Sequence, residues 1–186
     1  MATSHKIKIE PMTAVTFAPF GELWGATDRP DDQRLISPTR YTYVGKTTVS
    51  VIWQPYGGLT FNELERHFGV TQSFVQLSGS PAVVCVAAPT KTELPTDVPD
   101  PANVRAFLID PAKGYSFKRG TWHSLNRHNL APPGSTFLIL NSDPNPTQVV
   151  NYETSTVAIY QNLGSDLEPE RIVHEGKFGV VFEITL

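Results

Sequence analysis

The chain has 186 residues, with 18 acidic side chains against 15 basic ones and a formal charge of −3. That balance offers no basic face to nucleic acid or to an anionic membrane, and neither partner is expected. Hydrophobic residues make up 40 % and charged residues 18 %, the reverse of a disordered chain, so a packed core is expected within one domain over residues 1–186. Sixteen prolines and 13 glycines leave few uninterrupted helical windows and argue against an all-α bundle. The opening MATSHKIKIEP lacks a signal-peptide apolar stretch, and no segment approaches the roughly 18 to 20 apolar residues of a membrane span. The single cysteine, Cys85, lies in an apolar run and reads as a buried small hydrophobe. A soluble, cytoplasmic protein is the expectation.

In chain order, Pro11 and Thr13 announce a short helix over 13–17, with Thr13 as N-cap and Pro19 as its limit. Residues 40–55, rich in Thr, Tyr, Val and Ile, predict two strands around Gly45-Lys46. Residues 57–67 form a more polar strand. Residues 71–77 lead through Ser78-Gly79-Ser80-Pro81 into 82–88, a hairpin pattern. The stretch 89–103 carries four prolines and reads as a surface loop. Further strands are expected at 104–109, 114–118, 136–141 and 178–186, with weaker ones at 149–153 and 158–161. Residues 166–173 suggest a helical turn or two around Pro169. About ten short strands at this spacing predict an all-β barrel or two-sheet antiparallel sandwich with one or two short helices.

Two segments carry candidate chemistry. If residues 63–67 are extended, the period of two puts Glu63, Glu65 and His67 on one face, with Leu64 and Arg66 on the other. Three ligands or proton carriers on one strand face are unusual in a charge-poor chain, although a solvated strand face would show the same pattern. The second segment turns at Arg119-Gly120 and presents His123 at the start of a new strand, as a structural or a functional histidine. Together the segments have the spacing of the two cupin motifs: Glu65-x-His67, Gln72 and Gly79, then Lys118-x-Gly120-x-x-His123. Imidazole and carboxylate donors suit a first-row divalent metal, and rigid strands suit its geometry. Glu65 stands where the motif has a histidine, and Gln72 where it has a glutamate.

The run Glu63-Leu64-Glu65-Arg66-His67, followed by Thr71-Gln72-Ser73-Phe74, resembles the signature of the ureidoglycolate lyase family. Arg105-Ala106-Phe107, Gly114…Gly120-x-Trp122-His123 and the opening Pro11-Met12-Thr13…Phe20-Gly21 are similar to further family blocks, in family order. Ser124-Leu125-Asn126 and Asn141-Ser142 depart from the family pattern.

The resemblance implies a cupin-type β-barrel, a homodimer, and cleavage of ureidoglycolate to glyoxylate and urea. It implies catalytic roles for Glu65, His67 and His123, substrate contacts from Lys118, Arg105, Gln72 and Glu63, and Glu65, His67, Gln72 and His123 as ligands of one divalent metal (nickel, manganese or zinc). A metal-free acid/base mechanism is the alternative on the cofactor. Another metal-dependent cupin enzyme (an isomerase, a dioxygenase or a different lyase) and a non-catalytic barrel binding a small acid are the alternatives on function. The apolar run from Phe178 to Ile184 reads either as a strand pairing with a partner's edge or as an internal barrel strand.

Overall fold

The computed structural model describes residues 2–25, 30–174 and 178–186. Its strands are β1 (Thr3–Pro11), β2 (Gly21–Leu23), β3 (Lys46–Pro55), β4 (Thr60–Phe61), β5 (Glu63–His67), β6 (Ser73–Gly79), β7 (Ala82–Ala87) and β8 (Arg105–Leu108). They continue with β9 (Gly114–Phe117), β10 (Trp122–Ser124), β11 (His128–Asn129), β12 (Gly134–Asp143), β13 (Thr147–Asn151), β14 (Thr156–Tyr160), β15 (Glu170–Val173) and β16 (Val180–Thr185). Helix α1 (Ala14–Phe17) follows Thr13, whose hydroxyl accepts from Thr16 N at 3.1 Å while the Thr16 hydroxyl accepts from Thr13 N at 3.0 Å. This reciprocal cap satisfies amide groups that a four-residue helix cannot pair internally.

The strands form two sheets. The larger runs β15-β14-β13-β5-β10-β7-β8-β1-β16-β4, with β11 alongside β7; the smaller runs β2-β9-β6-β12-β3. One core fills the space between them, where Phe74, Tyr115, Phe117 and Phe137 of the small sheet meet Val84, Val86 and Phe107 of the large one. The large sheet curls on itself around a second core that includes Leu64, Cys85, Trp122, Val150, Tyr152 and Phe182. Strand β7 serves both: Ala82, Val84 and Val86 enter the first core, and Val83, Cys85 and Ala87 enter the second. A strand covered on both faces must be apolar throughout, which explains its unbroken hydrophobic run. The expected mainly β, cupin-like architecture with a short helix is what the chain adopts.

Several elements differ from the sequence reading. Residues 166–173 form no helix; Glu170–Val173 is strand β15, hydrogen-bonded antiparallel to β14 with Ile159 opposite Glu170 and Thr156 opposite Val173. Long-range pairing thus overrides the local helical signal, and Ile172 and Val173 suit the extended state. Residues 40–55 supply one strand, β3, while Tyr43 makes an isolated bridge to Val70. The N-terminal segment is strand β1, parallel to both β8 and β16. Strand β16 has β1 on one side and β4 on the other, so the run ending at Ile184 is an internal strand.

The two motif glycines have definite tasks. Gly79 has φ +103°, and a side chain there would run into the Gly134 carbonyl of the facing strand. Gly120 has φ +79° and donates its N–H to the His67 carbonyl at 2.8 Å, tying the turn before His123 to the end of β5.

Candidate active site

Strand β5 positions the site. Leu64 faces the second core, so period-two alternation turns Glu63, Glu65 and His67 to the opposite face. On that face Glu65 is directly across from His123 of β10. Glu65, His67 and His123 each offer a ligand atom, and these atoms all lie within 4.8 Å of one another. All three residues are buried, at 8 %, 3 % and 1 % exposure. Glu65 Oε1 is 3.7 Å from both His67 Nε2 and His123 Nδ1, beyond hydrogen-bond reach.

Hydrogen bonds fix how the imidazoles present themselves. The Thr147 hydroxyl donates to the Asn145 carbonyl at 2.9 Å and therefore accepts from His67 Nδ1 at 2.8 Å. His123 Nδ1 donates to the Ser124 carbonyl at 3.2 Å. In the neutral rings both Nε2 lone pairs are then free, and both Nε2 atoms are buried without a partner. The His123 ring also stacks on Phe117 at 4.3 Å and 9°.

Burial by itself would raise the Glu65 carboxyl, but the adjacent imidazoles of His67 and His123 and the Arg127 guanidinium outweigh it and hold the carboxyl below its ordinary value. Burial drops the His123 imidazole to about 3, against the pull of Glu65 and with help from His67 and Arg127. At neutral pH the pair is a carboxylate facing a neutral imidazole.

Of the cluster, Glu65 lines a cavity of about 400 Å³, together with Glu63, Val149, Ala158, Tyr160 and Arg171 among others. A second cavity of about 330 Å³ shares Glu63 and Leu125 with the first and is walled by Gln54, Asn126, Arg127 and His128 among others. Glu63 is held by Asn151 Nδ2 at 3.0 Å. Gln72 is buried with its side-chain oxygen unpartnered, and its backbone carbonyl accepts from Phe117 N at 2.9 Å.

Lys118 and Arg105 lie elsewhere. Lys118 is exposed and donates to the Ala18 carbonyl at 2.6 Å. Arg105 is bound by both carboxylate oxygens of Glu10 and lies over the Phe107 ring at 4.8 Å. Neither lines the cavities beside Glu65. Their cations fasten β9 and β8 to the N-terminal segment.

Two arginines near the cluster escape a reading by motif. Arg127 is 3 % exposed, donates to the Tyr115 hydroxyl at 3.0 Å and the Ser124 carbonyl at 3.1 Å, and lies 3.8 Å over the Phe74 ring. The signal available in the sequence is its place four residues after His123 in the same polar segment. Arg171 comes from β15, the strand read as helical.

A profile of the family described as ureidoglycolate lyase matches residues 4–158. A ureidoglycolate lyase of Chelativorans sp. is 33 % identical over 151 residues, covering 74 % of this chain and 85 % of that protein. One of Rhodobacter capsulatus is 32 % identical over 144 residues, covering 70 % and 81 %. One of Azotobacter vinelandii is 31 % identical over 140 residues, covering 63 % and 74 %. The buried carboxylate and two histidines thus occur in a chain whose likeness to these proteins extends over most of its length, and the chain belongs to the ureidoglycolate lyase family.

Proposed function

We propose that the chain cleaves ureidoglycolate to glyoxylate and urea, with Glu65, His67 and His123 as the reacting centre. The observation that carries this reading is the buried Glu65–His67–His123 cluster, whose Glu65 lines a cavity, in a chain of this family. One carbon of the substrate bears a hydroxyl, a carboxylate and the urea nitrogen. The ionised Glu65 takes the hydroxyl proton; the carbonyl forms as the C–N bond breaks, and that bond's electron pair passes to the nitrogen. The departing nitrogen takes up a proton, so urea leaves neutral and no water or oxidant is consumed. His67, beside Glu65 at 3.7 Å, is the second group able to carry that proton.

The donor set also suits one divalent transition metal, nickel, manganese or zinc. Glu65, His67, His123 and Gln72 would hold it, and the support is the unpartnered Nε2 atoms of both histidines and the unpartnered Gln72 oxygen. When bound, such an ion would supply Lewis-acid stabilisation of the developing alkoxide.

The same reading includes one domain, a homodimer and a cytoplasmic setting. The pairing of β1 with β16 supports the first. Edge strand β3, with Val49, Val51 and Trp53 at 64 %, 64 % and 52 % exposure, supports the second. The lone thiol, buried in the core at Cys85, is compatible with a reducing compartment. A single-chain mass in solution would overturn the dimer. The decisive assay is release of glyoxylate and urea from ureidoglycolate by purified protein, with and without added Mn²⁺, Ni²⁺ or Zn²⁺. Absence of both products under all these conditions would overturn the named reaction.

A further inference from the structure

The register of the large sheet builds one cross-strand row through the site. His123 is opposite Glu65, Glu65 opposite Val149, Val149 opposite Ala158, and Ala158 opposite Arg171. Directly paired residues share a face of a sheet, so the row places Arg171 on the same face as the cluster. Glu65, Val149, Ala158 and Arg171 all line the same cavity. Val149 and Ala158, both apolar and without long side chains, form the floor between a carboxylate at one end and a guanidinium at the other. Strand β15 lies beyond residues 4–158, the part matched by the family profile.

Arg171 is also an uncommitted cation at this cavity. Among the described residues no hydrogen bond or ion pair holds its guanidinium. Arg105 is bound to Glu10, Lys118 to the Ala18 carbonyl, and Arg127 to Tyr115 and Ser124. An anion entering the cavity finds in Arg171 a planar fork matched to two carboxylate oxygens.

We infer that Arg171 binds the carboxylate of a small α-hydroxy acid substrate, which turns the hydroxyl-bearing carbon toward Glu65. The inference rests on the lyase reading above and assigns its carboxylate subsite to the chain's own C-terminal strand. Three strand steps separate the two residues, roughly 14 Å along a flat sheet. The carboxylate and the guanidinium stand at opposite ends of this floor, in one cavity of about 400 Å³, a space suited to a small acid. Arg171 therefore selects for a carboxylate on the carbon that reacts.

The test is steady-state kinetics of Arg171→Gln and Arg171→Lys with ureidoglycolate. Arg171 is exposed on an end strand, so these variants leave both cores untouched. The expected result is a KM raised about tenfold to a hundredfold in Arg171→Gln, as for a lost charged hydrogen bond, with Arg171→Lys intermediate and kcat within about threefold of the wild type. An unchanged KM, or a collapse of kcat at unchanged KM, would overturn the assignment while leaving the lyase reading in place. If the wild type releases no glyoxylate and urea, the lyase reading fails on its own. Calorimetric titration with glyoxylate then decides the subsite. Binding by the wild type that is lost in Arg171→Gln upholds it, and equal affinity or no binding to the wild type sinks it.

Discussion

Glu65 and Arg66 are neighbours in the chain, both charged and both buried, yet they face opposite sides of β5 and meet opposite fates. Arg66 is satisfied throughout. Gln148 Oε1 accepts from its Nε at 2.9 Å and its Nη2 at 2.6 Å, Thr90 and Lys91 accept the remaining N–H groups, and the guanidinium lies 4.4 Å over Trp122 and 5.0 Å over Phe68. Burial brings it down to about 10, and it remains charged at neutral pH. On the other side, His67 Nε2 and His123 Nε2 have no partner, and Arg127 Nη2 and His128 Nε2 on the adjoining cavity have none either. A buried polar group that finds all its partners is architecture; buried polar groups left open cost stability, and the reading proposed above gives them a ligand.

Exchanging the two residues' chemistry is the strongest way to break that contrast. Glu65→Gln keeps the shape and removes the carboxylate, so turnover of ureidoglycolate should fall roughly a hundredfold to ten-thousandfold, the usual worth of a positioned proton acceptor. Circular dichroism and the thermal midpoint should stay close to wild type, and His123→Ala should show the same loss. Near-normal rates in both variants would remove the cluster from the mechanism. On the opposite face, Arg66→Met should leave the rate per folded molecule nearly intact and lower the unfolding free energy by about 3 kcal/mol, because Gln148 and Thr90 lose their buried donor. Urea titration measures that loss. A stable but inactive Arg66→Met would erase the distinction between the two faces.

The period-two pattern of Glu63, Glu65 and His67 and the Gly120-x-x-His123 spacing were readable because each is local: alternation along one strand, a glycine forced by one turn. That His123 would lie directly across from Glu65 follows from sheet register, which no local pattern specifies. Arg127 owes its burial to Phe74, and the two are far apart in sequence. Arg171 was hidden more thoroughly. Pro169 and the acidic residues around it favour a turn locally, and only the open edge of β14 makes residues 170–173 a strand. Arg105 and Lys118 show the converse: a cation near a motif in sequence is close in space only if the strands bring it there, and neither lines the cavities described above. Both instead fasten the N-terminal segment, whose strand β1 pairs with β8 and β16.

His128 sharpens the contrast on the pH axis. It is 7 % exposed and packs on Phe61 at 4.9 Å, and burial, helped by the charge on Arg127 and opposed by a hydrogen bond with the Gly58 backbone, brings it down to about 4. The folded value is below the unfolded one, so the unfolded chain takes up the proton first as pH falls. Stability is therefore unaffected above about pH 6.5 and is lost progressively between there and about pH 4. For this group the loss amounts to about 2 kcal/mol between roughly pH 7.5 and pH 5. His128→Phe should unfold less readily than wild type at the lower pH, by about that margin relative to its standing at the higher pH. Parallel urea titrations at the two pH values measure the difference, and an identical pH dependence would show that His128 is not held neutral.

The smallest effect lies in a contact that joins the satisfied and the open parts of one ring. His67 Nδ1 is engaged by Thr147, whose hydroxyl is itself anchored on Asn145, and this chain of bonds keeps the Nε2 lone pair toward Glu65. Thr147→Val removes the acceptor with little change of shape and frees the ring to rotate or to move its proton to Nε2. The expected cost is about tenfold in kcat, or in the affinity for an added divalent metal, as for other partners that orient an imidazole. Thr147→Ser, which restores the hydroxyl, should recover most of it. If Thr147→Val matches the wild type in both measurements, His67 does not act through an oriented Nε2, and the open face of β5 narrows to Glu65 and His123.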